Sequence, residues 1–376
     1  MLNRRTLRIK AMQTVFAYRQ SKEANAGLAQ EFIKESFSPD LNSMEVQDKD
    51  ALKEQKKEAL SLFKTNYKNE ASVSHTDEKV AEITNEAIDD YHKQNAKDLK
   101  FFKKNMLVES EKIFDRYLSI LNLLILFAEI AEEDTKTDHS NFVKNLLIHT
   151  LKFNEDLENA TLRRNIKWDD KSEIRNWFKE LVRKDDEYQQ YIKLDSPGFE
   201  EDKKIVSHIV KNIVFKNEVI DKYLEEEDLN WQEDRAIIKS LTVKTLKSIV
   251  EGGEDLEIQE LSYNWEDDKS FFVKLFEETI EVEQEYEETI AKNTKNWDIE
   301  RIAITDKIIL EMAISEMINF PSIPVKVTIN EYIEVAKRYS TPKSKMFING
   351  VLDVIANDLQ NAGKIKKSGR GLIDNK

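Results

Sequence analysis

Apolar residues recur at three- and four-residue spacing through most of the chain, the signature of amphipathic helices. Leu7, Ala11, Met12, Val15 and Phe16 predict a helix over residues 3–20, and a second, short helix runs near Leu28–Phe37 until Ser38-Pro39 stops it. From Asp40 to about Asn95 the apolar anchors thin out among Glu, Lys, Asn and Ser, which predicts a solvated helical arm or a partly disordered stretch. Residues 97–131 form the most apolar helix. Its uncharged core Tyr117–Ala128 is far shorter than the ~20 residues that a membrane span needs. Further helices are predicted near 140–160, 171–194, 203–225 and 233–251, with breaks at Thr135–Asp138, Asp195-Ser196-Pro197-Gly198 and Gly252-Gly253.

The last hundred residues have the clearest punctuation. Ile302, Ile304, Ile308, Ile309, Met312, Ala313 and Met317 make one apolar face after Trp297, ended by Phe320-Pro321. Ile323–Val327 reads as an extended connector, and Thr328-Ile329-Asn330-Glu331 as a capping box opening the next helix. Thr341-Pro342 opens the last helix, with Lys343, Ser344 and Lys345 in its first turn. Free N–H groups, a hydroxyl and two ammonium groups there suit a phosphate; taken alone, the same residues read more simply as a solvated lysine turn. Asn349-Gly350 removes side-chain bulk, which predicts a close helix approach.

Composition narrows the class. Gly and Pro number only 8 and 5 in 376 residues, too few turn residues for an all-β fold. There is no Cys, so disulfides and Cys-based metal sites are excluded. The expectation is an all-α protein, cytoplasmic, with no cofactor and no metal. The net charge of -14 argues against nucleic acid until it is divided. Residues 1–20 carry +5, residues 326–350 +3 and residues 361–376 +4, which leaves -26 for the rest: both ends are basic and the middle is acidic.

No catalytic pattern emerges. The five His, at 75, 92, 139, 149 and 208, are scattered, and no phosphate-loop, dinucleotide or nucleophile-elbow motif occurs, so the chain reads as a non-enzyme. Asn230-Trp231-x-x-x-Arg235 recurs as Asn296-Trp297-x-x-x-Arg301, and Asp170-Lys171-Ser172 with Tyr188 recurs as Asp268-Lys269-Ser270 with Tyr286. A degenerate duplication would produce that echo, but so few matched positions are more readily the product of chance in a Glu- and Lys-rich helical chain.

Three segments stand out together: Arg4-Arg5-x-x-Arg8-x-x-Ala11-x-Gln13-x-x-Phe16, the run from Ile323 to Lys337, and Phe347-Ile-Asn-Gly-Val-Leu-Asp353. They resemble the NusB family of bacterial transcription antitermination factors. The resemblance implies a NusB-like bundle of two small helical subdomains interrupted by a large all-helical insertion. It divides the chain into opening helices (1–37), an acidic insertion (38–264), the remainder of the NusB-like domain (265–362) and a flexible basic tail (363–376). It further implies binding of single-stranded boxA RNA from ribosomal RNA operons, together with the small-subunit ribosomal protein NusE, within the antitermination complex of RNA polymerase.

The same resemblance points to residues. Arg4, Arg5 and Arg8 would form a basic arm, Lys343 and Ser344 a helix-terminus phosphate site, and Phe16 and Phe347 stacking platforms; Asp306 would face NusE. Many relatives carry an acid where this chain has Lys343, which predicts tighter RNA binding without a partner here. The alternative is a helical scaffold whose acidic insertion docks a basic protein. A third reading, an RNA cytosine methyltransferase led by a NusB-like domain, requires a nucleophilic Cys that the sequence lacks.

Overall fold

The computed structural model of the chain describes residues 1–39, 47–69, 71–253, 255–294 and 302–375. The described residues are helical throughout, without a strand. The helices are α1 (Arg4–Ser36), α2 (Lys49–Asn66), α3 (Glu78–Glu132), α4 (Ser140–Val143), α5 (Leu146–Phe153), α6 (Glu155–Arg163), α7 (Lys171–Trp177), α8 (Asp186–Tyr191), α9 (Phe199–His208), α10 (Glu218–Glu227), α11 (Trp231–Ser248), α12 (Trp265–Glu281), α13 (Glu283–Asn293), α14 (Ile304–Asn319), α15 (Val325–Tyr339) and α16 (Pro342–Asn361). None is long and apolar enough to cross a membrane.

The chain divides into two compact units. A terminal unit takes Arg4–Met106 and Lys269–Lys376; a middle unit takes Met1–Asn3 and Leu107–Asp268. Residues 38–106, expected to belong with the insertion, therefore cluster with the chain ends. The reason is a shared apolar core: Ala29 and Ile33 of α1 and Phe37 just after it pack with Ala59 and Phe63 of α2 and Val80, Ala87, Ile88 and Tyr91 of α3. The sparse anchors of this stretch suffice because they converge on one cluster. The two predicted opening helices are one, since nothing between Gln20 and Leu28 interrupts the backbone ladder.

In the terminal unit α14 is the central helix, packed by α1, α13, α15 and α16, and every residue from Ile308 to Met317 is buried. Its neighbours differ from expectation at two places. α15 begins at Val325 with Pro324 at its N-cap, so the extended connector is one turn of helix and Thr328 is no cap. The buried Thr328 hydroxyl instead donates to Glu316 Oε1 at 2.8 Å, while Glu331 is taken by Arg5. Gly350 is exposed, and a Cβ there would meet nothing within 4 Å, so among the described residues no helix approaches it closely. The Thr341–Pro342 start of α16 is as expected: the Thr341 hydroxyl accepts the Ser344 N–H at 3.2 Å.

The tail also differs from a flexible strand. The Ser368 N–H and the Lys367 ammonium donate, each at 3.0 Å, to the carbonyls of Pro321 and Phe320, and Gly369–Asn375 form a 3₁₀ turn. The backbone of Gly371 lies so close to the Pro321 carbonyl that any Cβ would collide with it, which requires glycine.

The middle unit is built around the apolar second half of α3. Tyr117 Oη meets Thr245 Oγ1 at 2.5 Å and accepts the Gln259 N–H at 3.1 Å. Asn145 caps α5 and donates to Tyr191 Oη and the Asp202 carbonyl, while Tyr191 donates to the Asp202 carboxylate. Single π-helical segments follow α7 and α9, at Phe178–Val182 and Ile209–Val214. Of the internal echo, Trp231 is buried against Phe215 and, like Arg235, donates to Asp221. Asn296, Trp297 and Arg301 lie outside the described residues. Asp170 caps α7 but Asp268 sits within α12, so that pair plays different local roles.

Candidate nucleic-acid interface

The first turns of α1 carry Arg4, Arg5 and Arg8, and the structure gives each a different environment. Arg4 is exposed, its guanidinium 4.9 Å from the Phe271 ring centroid. Arg5 makes a two-pronged bond to Glu331 on α15, both contacts at 2.8 Å, and its side chain stays 48 % exposed. That bond holds the Glu331 carboxyl below its ordinary range and raises Arg5. Arg8 is in the core. Both prongs of its guanidinium bond Glu316 at 2.7 Å, and Tyr332 and Thr328 complete the carboxylate's partners. Burial works against the charge on Arg8, but the charge and hydrogen bonds of Glu316 outweigh it and the pKa rises. Arg8, expected to touch RNA, is thus a packing residue that docks α1 on α14.

A second lock lies farther along the same helices. The buried Arg19 bonds Glu311 of α14 and reaches Glu283 of α13 at 3.1 Å. Glu283 also takes Lys22, at 2.9 Å. Burial pushes the Glu311 carboxyl up to about 7 despite Arg19. The sequence reading missed this lock. Its signal was available: Glu311 and Glu316 interrupt an otherwise apolar run, where unpaired carboxylates would be too costly to bury.

Phe16 lies eleven residues beyond Arg5, about 20° around the helix axis and about 16 Å along it, so the two share one file. It is 36 % exposed, an aromatic open to solvent, whereas Tyr18 two residues on is buried. At the other chain end, α15 closes with Lys337 and Arg338, cations placed where the helix dipole favours them. α16 follows at once with Lys343 exposed, Ser344 and Phe347 half-buried and Met346 exposed. The Ser344 hydroxyl lies 2.9 Å from Thr341 Oγ1, so the cap already uses part of the expected phosphate cradle. Lys343 and Phe347 are one turn apart on one face. α15 packs against both α1 and α16, which brings the Arg5 and Lys343 helices onto a common support.

Asp306 is corrected in the same way as Arg8. It is buried in the first turn of α14 and accepts the Ser340 hydroxyl, tying α14 to the end of α15. A carboxylate so enclosed presents no face to a partner.

This geometry defines a class: an all-α bundle whose first helix docks on its last ones through buried ion pairs and leaves cations exposed beside the docking site. The NusB family profile matches residues 236–357. Three curated relatives, each named transcription antitermination protein NusB, align over 28 % of this chain. That of Salinibacter ruber is 48 % identical over 105 residues and 66 % of its own length. That of Chloroherpeton thalassium is 46 % identical over 106 residues and 50 % of its length. That of Dictyoglomus turgidum is 41 % identical over 104 residues and 70 % of its length. The chain thus spans between half and just over two thirds of the relatives it matches. No solved structure matches. The chain belongs to the NusB family, one of transcription antitermination proteins rather than enzymes.

Proposed function

We propose that the protein is a NusB-type antitermination factor that binds single-stranded boxA-like RNA, pairs with NusE and joins elongating RNA polymerase. The observation that carries the reading is the cationic and aromatic set on helices from both chain ends: the exposed Arg4, Arg5 and Phe16 on α1, and the exposed Lys343 beside the half-buried Ser344 and Phe347 on α16. Cations track a strand's phosphates, and aromatics stack on unpaired bases with about 1–3 kcal/mol each. NusE remains a partner in this reading without an assigned residue, since Asp306 is enclosed. The test is fluorescence anisotropy of the full chain with a labelled boxA-like single strand, with and without NusE. Binding that NusE tightens supports the reading, and no binding in either condition overturns it. The scaffold reading rests on the excess of acid in the middle unit, and its mark would be capture of a basic protein with no RNA affinity at all.

A further inference from the structure

The segment of α3 that joins the terminal unit has a surface unlike the rest of that helix. Glu82, Glu86, Asp89 and Asp90 precede a run in which Lys93, Lys97, Lys100, Lys103 and Lys104 face a single acid, Asp98. Lys93, Lys97, Lys100 and Lys104 fall within about 60° of arc and climb about 16 Å in steps of about 4.5–6 Å. All four are exposed. Lys93 makes only a 3.7 Å pair with the exposed Asp90, and Lys97, Lys100 and Lys104 form no salt bridge among the described residues. Asp98 is held by Ser21, Asn25 and Gln94 and feels the charge of Lys97 without forming a salt bridge with it. Beside the file stands Phe101, 60 % exposed, its edge braced by Phe102. At the other end the file enters a groove of 340 Å³ between α1 and α3, lined by Leu28, Phe32, Tyr91, Lys93, Gln94 and Lys97.

We infer that this face is a second track for single-stranded RNA, in which Lys97, Lys100 and Lys104 take consecutive phosphates and Phe101 stacks on a base. The inference rests on the RNA reading above and extends it to a part of the chain outside the family match. Charge decides the class of ligand. A file of ammonium groups at a spacing close to a strand's phosphate repeat suits a polyanion with regular charges. An acidic amphipathic helix would need a continuous apolar ridge, and the exposed face from Lys93 to Lys104 offers only Phe101 as a large apolar group.

The test uses the full chain and three labelled single strands: a boxA-like strand of about 12 nucleotides, and the same strand lengthened by about six at its 5′ end or at its 3′ end. A Lys97→Glu/Lys100→Glu/Lys104→Glu variant is compared with a charge-matched Lys167→Glu/Lys204→Glu/Lys222→Glu control. The wild type is expected to bind one lengthened strand about tenfold more tightly than the short one. The α3 variant should lose that gain, and its log–log salt slope on the lengthened strand should fall by about 2, from about 0.7 per lost phosphate contact. The control should lose neither, and Phe101→Ala should lose part of the gain with an unchanged slope. Lengthening that adds nothing in wild type, or a gain that survives in the α3 variant, overturns the track while leaving the boxA reading standing. A wild type that binds none of the strands overturns both. If a polyglutamate peptide binds wild type but not the α3 variant while RNA binding is equal in the two, the face belongs to an acidic protein and the track is again overturned.

Discussion

The middle unit carries 23 basic and 38 acidic residues, a charge of -15, whereas the terminal unit carries 35 and 34. Yet the nearly neutral unit is the one that buries cations. Among the described residues, Arg8, Lys10 and Arg19 are buried there with Glu311 and Glu316, whereas the middle unit buries Asp202, Asp228 and Asp234 but no Lys or Arg. The acidic unit holds its interior with hydrogen bonds that use no cation, such as Tyr117–Thr245, Asn145–Tyr191 and Tyr191 to the buried Asp202, and keeps most of its carboxylates in water. Charge surplus is therefore a property of surfaces, and buried charge follows connectivity. α1 must find α14 across 308 residues of sequence, and its buried arginines fix which face it docks with. Rotation or slippage would leave a charge buried without a partner.

That contrast can be broken most directly at Glu316. Glu316→Ala strands Arg8 in the core and should destabilise the terminal unit by about 3–5 kcal/mol. Hydrogen exchange of α1 and α14 peptides should accelerate. Tryptophan emission should barely move, because four of the five Trp (168, 177, 231 and 265) lie in the middle unit. Equal loss in both units would show that the two do not unfold separately. Acidity sharpens the same point. With its folded pKa raised to about 7, Glu311 holds a proton that it would release in the unfolded chain. Its contribution is fully present below about pH 4.3 and is lost as pH rises through 7. Relative to wild type, Glu311→Gln should gain about 3 kcal/mol in the terminal unit between pH 4.5 and 8, read from urea midpoints at each pH.

The middle unit should respond to a neutral deletion instead. Tyr117→Phe removes the acceptor of the Gln259 N–H and the partner of Thr245, which costs about 1–3 kcal/mol. The loss should appear in the tryptophan unfolding curve and be absent from α1 exchange. The smallest effect concerns the exposed cations: Lys343→Glu should weaken boxA-like RNA by about tenfold, or about 1.4 kcal/mol, and lower the salt slope by about 0.7. Unchanged affinity would remove Lys343 from the RNA surface.

Much of this architecture was legible in local signals. Ser38-Pro39, the Asp195–Gly198 break, Gly252-Gly253 and the Thr341-Pro342 cap mark helix ends in the structure because turn and cap chemistry acts within a few residues. What local signals missed was non-local. Thr328 and Glu331 have a capping box's spacing, but Glu316 and Arg5 claim their side chains from other helices. Arg4, Arg5 and Arg8 are near neighbours in sequence, and only the helix phase separates the exposed pair from the buried third. Asp306 reads as one more surface acid until Ser340 is seen beside it. The -26 assigned to everything between the basic ends likewise concealed that residues 38–106 are almost neutral, with five lysines between 93 and 104.

The distance between the two halves of the Arg8–Glu316 pair also sets a timetable. A ribosome adding about 5–20 residues per second finishes Glu316 about 15–60 s after Arg8. During that interval the middle unit has its whole sequence available, and α1 can already gather α2 and the start of α3 around Ile33 and Phe63. The Leu7–Val15 side of α1, with Arg8 in it, has no α14 to receive it until the end of synthesis. A nascent chain arrested just before Glu316 should therefore bind chaperones through its first twenty residues, and release should follow once α14 emerges.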